Sequence, residues 1–388
     1  MKMMVHLELE KAMKPLRMAS QVMGLNVDGV LGRFYTSLVL LIVAGLLYGS
    51  FINLSSGNEE ILTKVDTVIL WTQFVANGIF VFVVLGSSLV SSEQFKFPTK
   101  DLTQVDKVFS YRRLFGVRIA NGHLRRLQIL QILLSISIFI LLGFMDIYKM
   151  IVRQFLPVFI HWLCCGYFII LSIVTDCLFV DYLAVMKQRF FQLNKLLAKI
   201  LESNRTSFNI AMIYVEQRDR EIVKKQNTEV STSVEKLRIL HHDLCCICTK
   251  PLCCYIIIVI SIVISIKVNR SFGTQQLVNT AITLVIITGQ LYEAYHFIIA
   301  DNNNPAEIAA HKLMWMLFYI GRIFYISYAC SRTSYEANFT ASIIHEMPVQ
   351  QLSNTMQYFS LQLIHENLKF NACGFFDIDF GLLCSVSN

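Results

Sequence analysis

Six stretches of the chain run for about 20 residues with almost no charge, the length of helix that crosses a bilayer. They are Phe34–Leu54, Val68–Val90, Leu127–Met145, Phe155–Thr175, Val278–Ala300 and Leu313–Ser331. Asp146 closes the third and Asp176 the fourth, while the fifth carries Glu293 within it and the sixth carries Arg322. A further apolar run, Pro251–Ile266, is shorter. As a helix it would be about 24 Å long, marginal against roughly 30 Å of hydrocarbon. It is expected to extend a cytoplasmic or interfacial helix, because its insertion would flip everything downstream.

The long polar stretch between the fourth and fifth spans has its own periodicity. Leu183, Met186, Phe190, Leu193, Leu196, Leu197 and Ile200 recur at helical spacing. Residues 232–249 also read as helix, and Ser203–Phe208 and Lys225–Ser231 read as polar breaks. These helices are expected to continue below the membrane and pack as a platform. The alternative is a solvated loop with amphipathic helices on the lipid surface.

Composition agrees with an all-α, polytopic transmembrane bundle. The 388 residues are 55% hydrophobic and 16% charged, with 28 Phe and 6 Pro; soluble domains carry about 25% charged residues. The net charge of +7 is a topology signal, since Lys and Arg concentrate on the cytoplasmic side. Residues 1–33 hold five Lys/Arg, 91–126 hold eight and 181–250 hold twelve, whereas 55–67 hold one and 149–154 hold two. The alternation places the N-terminus in the cytoplasm. No basic run accompanies a nucleic-acid readout module, so nucleic acid is not an expected partner. The first 33 residues lack the early apolar core of a cleavable signal. Asn53-Leu54-Ser55 is a glycosylation acceptor on the expected outer side, close against the membrane.

None of the eleven Cys falls in the short outer loops, which argues against a disulfide framework. Cys245, Cys246 and Cys248 lie near His241 and His242, but the spacing fits no standard zinc motif. No phosphate loop, zincin or dinucleotide fingerprint is present. No metal, cofactor or catalytic constellation is therefore expected, and the chain does not read as an enzyme.

Polar residues inside a membrane are costly and mark candidate sites. In the outer halves of the spans, the second offers Trp71, Gln73 and Asn77, and the fourth offers His161 and Trp162. The fifth offers Gln290, Tyr292, Glu293 and His296, and the sixth Trp315 and Tyr319. Aromatics with a few polar groups suit a pocket for a small organic ligand. The same residue types also build interfacial belts and helix-to-helix hydrogen bonds. Arg322 costs roughly 2.5–3.5 kcal/mol to insert, so it must pair with a carboxylate or face water. Structure and ligand binding are both open to it.

Two stretches resemble signatures of the insect gustatory receptors. One is His241-His242-Asp243-Leu244-Cys245. The other is Phe359-Ser360-Leu361-Gln362-Leu363-Ile364-His365, continuing through Phe370-Asn371-Ala372-Cys373-Gly374-Phe375-Phe376-Asp377-Ile378-Asp379. Between them, residues 336–345 are similar to the stretch after that family's sixth helix. The motifs lie in the last 150 residues or so, while the architecture matches over most of the chain. The resemblance implies a seven-helix chemoreceptor of the sensory-neuron plasma membrane. It would be a ligand-gated cation channel detecting small-molecule tastants, assembled as a homo- or heterotetramer with sister subunits. The seventh helices line the pore, inward extensions of helices four to six form a shared anchor, and ligands enter the outer half of the bundle.

On that basis the chain divides into a cytoplasmic N-terminus (1–33), spans one to four (34–180), and a cytoplasmic anchor region (181–277) containing the atypical apolar insert 251–267. Spans five and six (278–331) follow, then a cytoplasmic helix leading into a truncated seventh span (332–388). The sequence departs from the family in two places. After Asp379 the family pattern continues as an apolar pore helix, whereas here nine residues follow. Removing Pro251–Lys267 joins Lys250 to Val268-Asn269, closer to the family text. Both places read as translated intron, and Val386-Ser387 can be encoded by GTAAGT, a splice-donor consensus. As written, the chain is expected not to conduct by itself. The rival classes are a G-protein-coupled-type chemoreceptor, whose N-terminus would be outside, and a transporter or other non-conducting membrane protein.

An epitope tag at residue 1 should be stained only after permeabilisation. Staining of intact cells would overturn the cytoplasmic N-terminus and favour the G-protein-coupled class.

Overall fold

In lipid every backbone N–H and C=O must be paired within the protein, which favours helices for apolar segments of this length. The computed structural model describes residues 13–25, 29–55, 64–90, 121–151, 156–221, 230–299, 305–345 and 367–382. A helical segment at 13–22 precedes six long helices. They are α1 (Gly29–Ser55), α2 (Lys64–Val90), α3 (Asn121–Ile151), α4 (Leu156–Glu221), α5 (Val230–Ile299) and α6 (Pro305–His345). All six are long and apolar enough to cross a membrane, and each predicted span falls on its own helix in order. Pro305 opens α6, where its missing N–H has no intrahelical partner to lose.

The helix of the fourth span continues past Asp176, which is buried inside the bundle, in an apolar window that runs Leu163–Lys199. One expectation is corrected. Ser203–Phe208 is not a break but lies within α4. Polar residues without Gly or Pro do not interrupt a helix that has already been nucleated. Lys225–Ser231 straddles the start of α5, with 222–229 outside the described residues. The apolar run Pro251–Ile266 lies inside α5, which is continuous from Val230 to Ile299.

α4 and α5 have 66 and 70 residues, about 100 Å each at 1.5 Å per residue, three times the hydrocarbon thickness. Much of both helices therefore projects beyond a bilayer. α4 is the hub. In its apolar span 72% of the window is buried, against 22–39% in the other five. Leu171, Phe179, Leu183, Phe190 and Leu193 are among its fully enclosed side chains. Contacts along α4 and α6 advance together, from Asp176–Arg322 through Leu183–Thr333 to Asn194–Thr340, so the two run parallel. α5 runs opposite: Asn279 meets Ser172 while Ser265 meets Met186.

The segment 367–382 packs along this three-helix core, from Asn338 back to Phe324 and Tyr328, where the Phe380 ring lies. Phe370 is 2% exposed and reaches the Phe179 ring, which also packs on Phe272. Asn371 bridges to Asp377, Ile378 N donates to Phe370 O at 2.8 Å, and Ala372 N donates to Phe376 O at 3.0 Å. The turn between them places Gly374 at φ +79, a conformation that favours glycine. Two asparagines hold this loop as a strand would. Asn338 of α6 accepts from Leu368 N at 2.9 Å and donates to Leu368 O at 3.3 Å. Asn269 of α5 accepts from Asn371 N at 3.0 Å and donates to Asn371 Oδ1 at 3.3 Å. On the exposed rim, Asp377 accepts from Lys369 at 2.8 Å and holds that ammonium's pKa above its ordinary value.

Phe370→Ala should lower stability by about 3–5 kcal/mol, the usual cost of emptying an enclosed Phe site. Phe375→Ala, at a 78% exposed position, should leave it unchanged. Thermal unfolding of the purified chain in detergent separates the two.

Candidate functional site

The antiparallel alternation brings the start of α2, the start of α4, the end of α5 and the start of α6 to one end of the bundle, where the predicted site residues lie. On α2, Trp71 packs edge-on against Phe51 of α1, with ring centroids 5.2 Å apart. Gln73 lies directly over Gly289 of α5: a Cβ at 289 would stand 2.9 Å from both Gln73 Nε2 and Ile69 Cγ2, so any larger residue would make these side chains shift. Asn77 is half-buried one turn along α2. On α5, Tyr292 stacks on His296 at 6.2 Å, and Glu293 is ion-paired with Lys312 of α6. On α6, Trp315 and Tyr319 stack at 6.1 Å and 28° and are both buried. They form one apolar cluster with Phe139 and Leu142 of α3 and Ile286 of α5. His161 and Trp162 belong to the first turns of α4, and their side chains lie outside the described residues.

Among the shielded polar atoms at this end, Gln73 Nε2, a donor, and Gln290 Oε1, an acceptor, lack partners among the described residues. Buried polar atoms are normally hydrogen-bonded, so each orphan calls for an explanation.

Beneath the aromatic cluster lies a charged network that sequence reasoning saw only in part. Arg322 Nε donates to Asp176 Oδ2 at 3.1 Å, and its Nη2 donates to Asp176 and to Ser172 Oγ. Asn279 Nδ2 donates to Asp176 Oδ1 at 2.7 Å, and Ser172 Oγ donates to Asn279 Oδ1 at 2.7 Å. α4, α5 and α6 thus each contribute. The Arg322 guanidinium stands 5.9 Å from both the Phe318 and Tyr319 ring centroids, within cation–π range. The network is therefore continuous with the Trp315–Tyr319 stack. Arg322 has the carboxylate partner its insertion cost required. Its identity was hidden because Asp176 stands at what the sequence presents as the edge of a span, 146 residues away.

The gustatory-type motifs lie elsewhere. His241, His242, Asp243, Leu244 and Cys245 are in α5, with side chains outside the described residues. Phe359, Ser360, Leu361, Gln362, Leu363 and His365 also lie outside them. Gly374, Phe375, Phe376, Ile378 and Asp379 belong to the loop clamped by Asn269 and Asn338, and of these Ile378 is buried in the main core.

Residues 29–268 and 264–387 match the family model described as 7tm chemosensory receptor. The two matched stretches meet at 264–268, where the apolar run Pro251–Lys267 ends. Over 142 residues the chain is 24% identical to the putative gustatory receptor 2a of Drosophila melanogaster, covering 30% of this chain and 33% of that protein. The aligned region thus spans about a third of that relative's length. The fold is similar to the insect olfactory receptor OR5 from Machilis hrabei, with a TM-score of 0.60 and 11% identity over 98% of this chain and 96% of that one. The structure of OR5 in complex with eugenol matches with a TM-score of 0.58 at the same identity. At this identity the likeness is one of fold.

Removing one partner of a buried ion pair costs about 3–5 kcal/mol, more than replacing both with apolar groups. Arg322→Met and Asp176→Leu should therefore each destabilise strongly, and the double variant should recover a large part of the loss. A double-mutant cycle on thermal stability measures the coupling.

Proposed function

The chain belongs to the 7tm chemosensory receptor family, and from that premise we propose that it is a gustatory receptor, gated by a small tastant at the aromatic end of the bundle. The family is one of receptors, not of enzymes. The finer reading is a ligand-gated cation-channel subunit, working as a homo- or heterotetramer in the plasma membrane of sensory neurons. It rests on the gustatory-type motifs and on the local likeness to a putative gustatory receptor. The long inward extensions of α4 and α5 support an anchor between subunits.

The observation that carries the ligand reading is the placement of Trp315, Tyr319, Tyr292 and His296 at the same end of the bundle as Gln73 Nε2 and Gln290 Oε1, which have no hydrogen-bond partner among the described residues. Aromatic faces take an apolar body. A donor and an acceptor take a hydroxyl or similar group, which both accepts and donates. The charges nearby are already matched, Glu293 by Lys312 and Arg322 by Asp176. An uncharged or weakly charged ligand avoids leaving either pair uncompensated. Likeness to a receptor solved with eugenol is in keeping with such a ligand class.

In cells expressing the chain with sister subunits, uncharged hydroxylated tastants should evoke cation currents. Trp315→Ala and Gln73→Leu should raise the half-maximal concentration about tenfold or more, the effect of roughly 1.4 kcal/mol, without loss of surface protein. If an agonist is found and neither change moves its dose response, the ligand site lies elsewhere.

A further inference from the structure

A second carboxylate in α4 is treated differently from Asp176. Asp181 lies five residues further along and is 3% exposed, yet among the described residues it forms no salt bridge. Opposite it on α3 is Gln128, 1% exposed, whose amide faces the carboxylate. Gln131, one turn along α3, faces Cys177 in the same antiparallel register. Among the described residues, Asp181 Oδ2 and Gln128 Oε1 have no hydrogen-bond partner. A buried carboxylate without a counter-charge costs several kcal/mol, and an unsatisfied buried amide oxygen adds to that.

We propose that Asp181 and Gln128 form a binding site for a small monovalent cation, Na+ or K+, between α3 and α4. Two orphaned oxygens, Asp181 Oδ2 and Gln128 Oε1, offer the hard ligands such an ion takes, and water completes its shell. The charge count favours a monovalent ion. Asp176 is already neutralised by Arg322, so among the described residues a single negative charge remains at this depth, and a divalent ion would leave a buried positive one. Access is short. Gln128 is two residues from Arg126, where the apolar window of α3 begins, so the site lies near one membrane face. Bound there, the ion holds α3, a helix mostly exposed on its own, against the central α4. The site is separate from the aromatic end and does not depend on which ligand, if any, that end takes.

The purified full chain is to be unfolded thermally in NaCl, KCl and N-methylglucamine chloride at equal ionic strength. Na+ or K+ should raise the melting temperature saturably, by about 3 °C at ten times the dissociation constant, and the two salts identify the ion. Asp181→Asn should abolish the difference between salts, and Gln128→Leu should raise the half-saturating concentration at least tenfold. Equal melting in all three salts overturns the proposal, as does an undiminished salt response in Asp181→Asn. An Asp181→Asn chain that is stabilised while wild type ignores the salts would mean the carboxyl carries a proton instead. Direct binding of radioactive 22Na+ or 86Rb+ to the wild-type chain decides the matter if the variants fail to fold, and absence of binding overturns it.

Discussion

Arg322 and Asp176 are charges that neither lipid nor an apolar core tolerates alone, and the helices around them are arranged to keep them together. The guanidinium comes from α6, the carboxylate from α4, and Asn279 of α5 and Ser172 of α4 add further hydrogen bonds. Apolar packing between membrane helices is only weakly discriminating, because lipid tails are as apolar as leucine. A buried pair with fixed donor geometry is discriminating. It sets the mutual register of three helices at one depth: a shift of one turn in α4 or α6 would strand a charge, and one in α5 would strand the Asn279 amide.

From that point the core extends in both directions along α4. Toward one end, the Arg322 guanidinium borders Phe318 and Tyr319, and Tyr319 stacks on Trp315, so the aromatic cluster is built directly on the ion pair. Toward the other, Thr333, Asn194 and Thr340 continue the α4–α6 contact to the loop at 367–382. There the side chains of Asn269 and Asn338 supply hydrogen bonds that a neighbouring strand would otherwise make. A displacement of α6 at the aromatic end is thereby mechanically connected to the motif-bearing loop through one helix, with polar fixings at each stage. The apolar run Pro251–Lys267 sits in α5 just before Asn269, within an unbroken helix, so Asn269 still reaches the loop despite the unusual text preceding it.

The sequence by itself determined the number, order and approximate bounds of the six membrane helices, because a 20-residue apolar run has no alternative to a helix once water is excluded. It also determined that Arg322 needed a partner, and it supplied the motifs by which the family is recognised. Where it erred, at Ser203–Phe208, local polar residues were taken for a boundary. A helix tolerates a charge that another helix neutralises, and polar side chains do not stop backbone hydrogen bonding. Only the tertiary structure decided which carboxylate meets Arg322, that Asn269 and Asn338 clamp the C-terminal loop, that Gln73 rests on Gly289, and that Asp181 faces Gln128. These are relations between residues from about 30 to more than 200 positions apart. Hydrophobic periodicity reports only a segment's preference for lipid or water, so the choice of partner emerges when the helices pack.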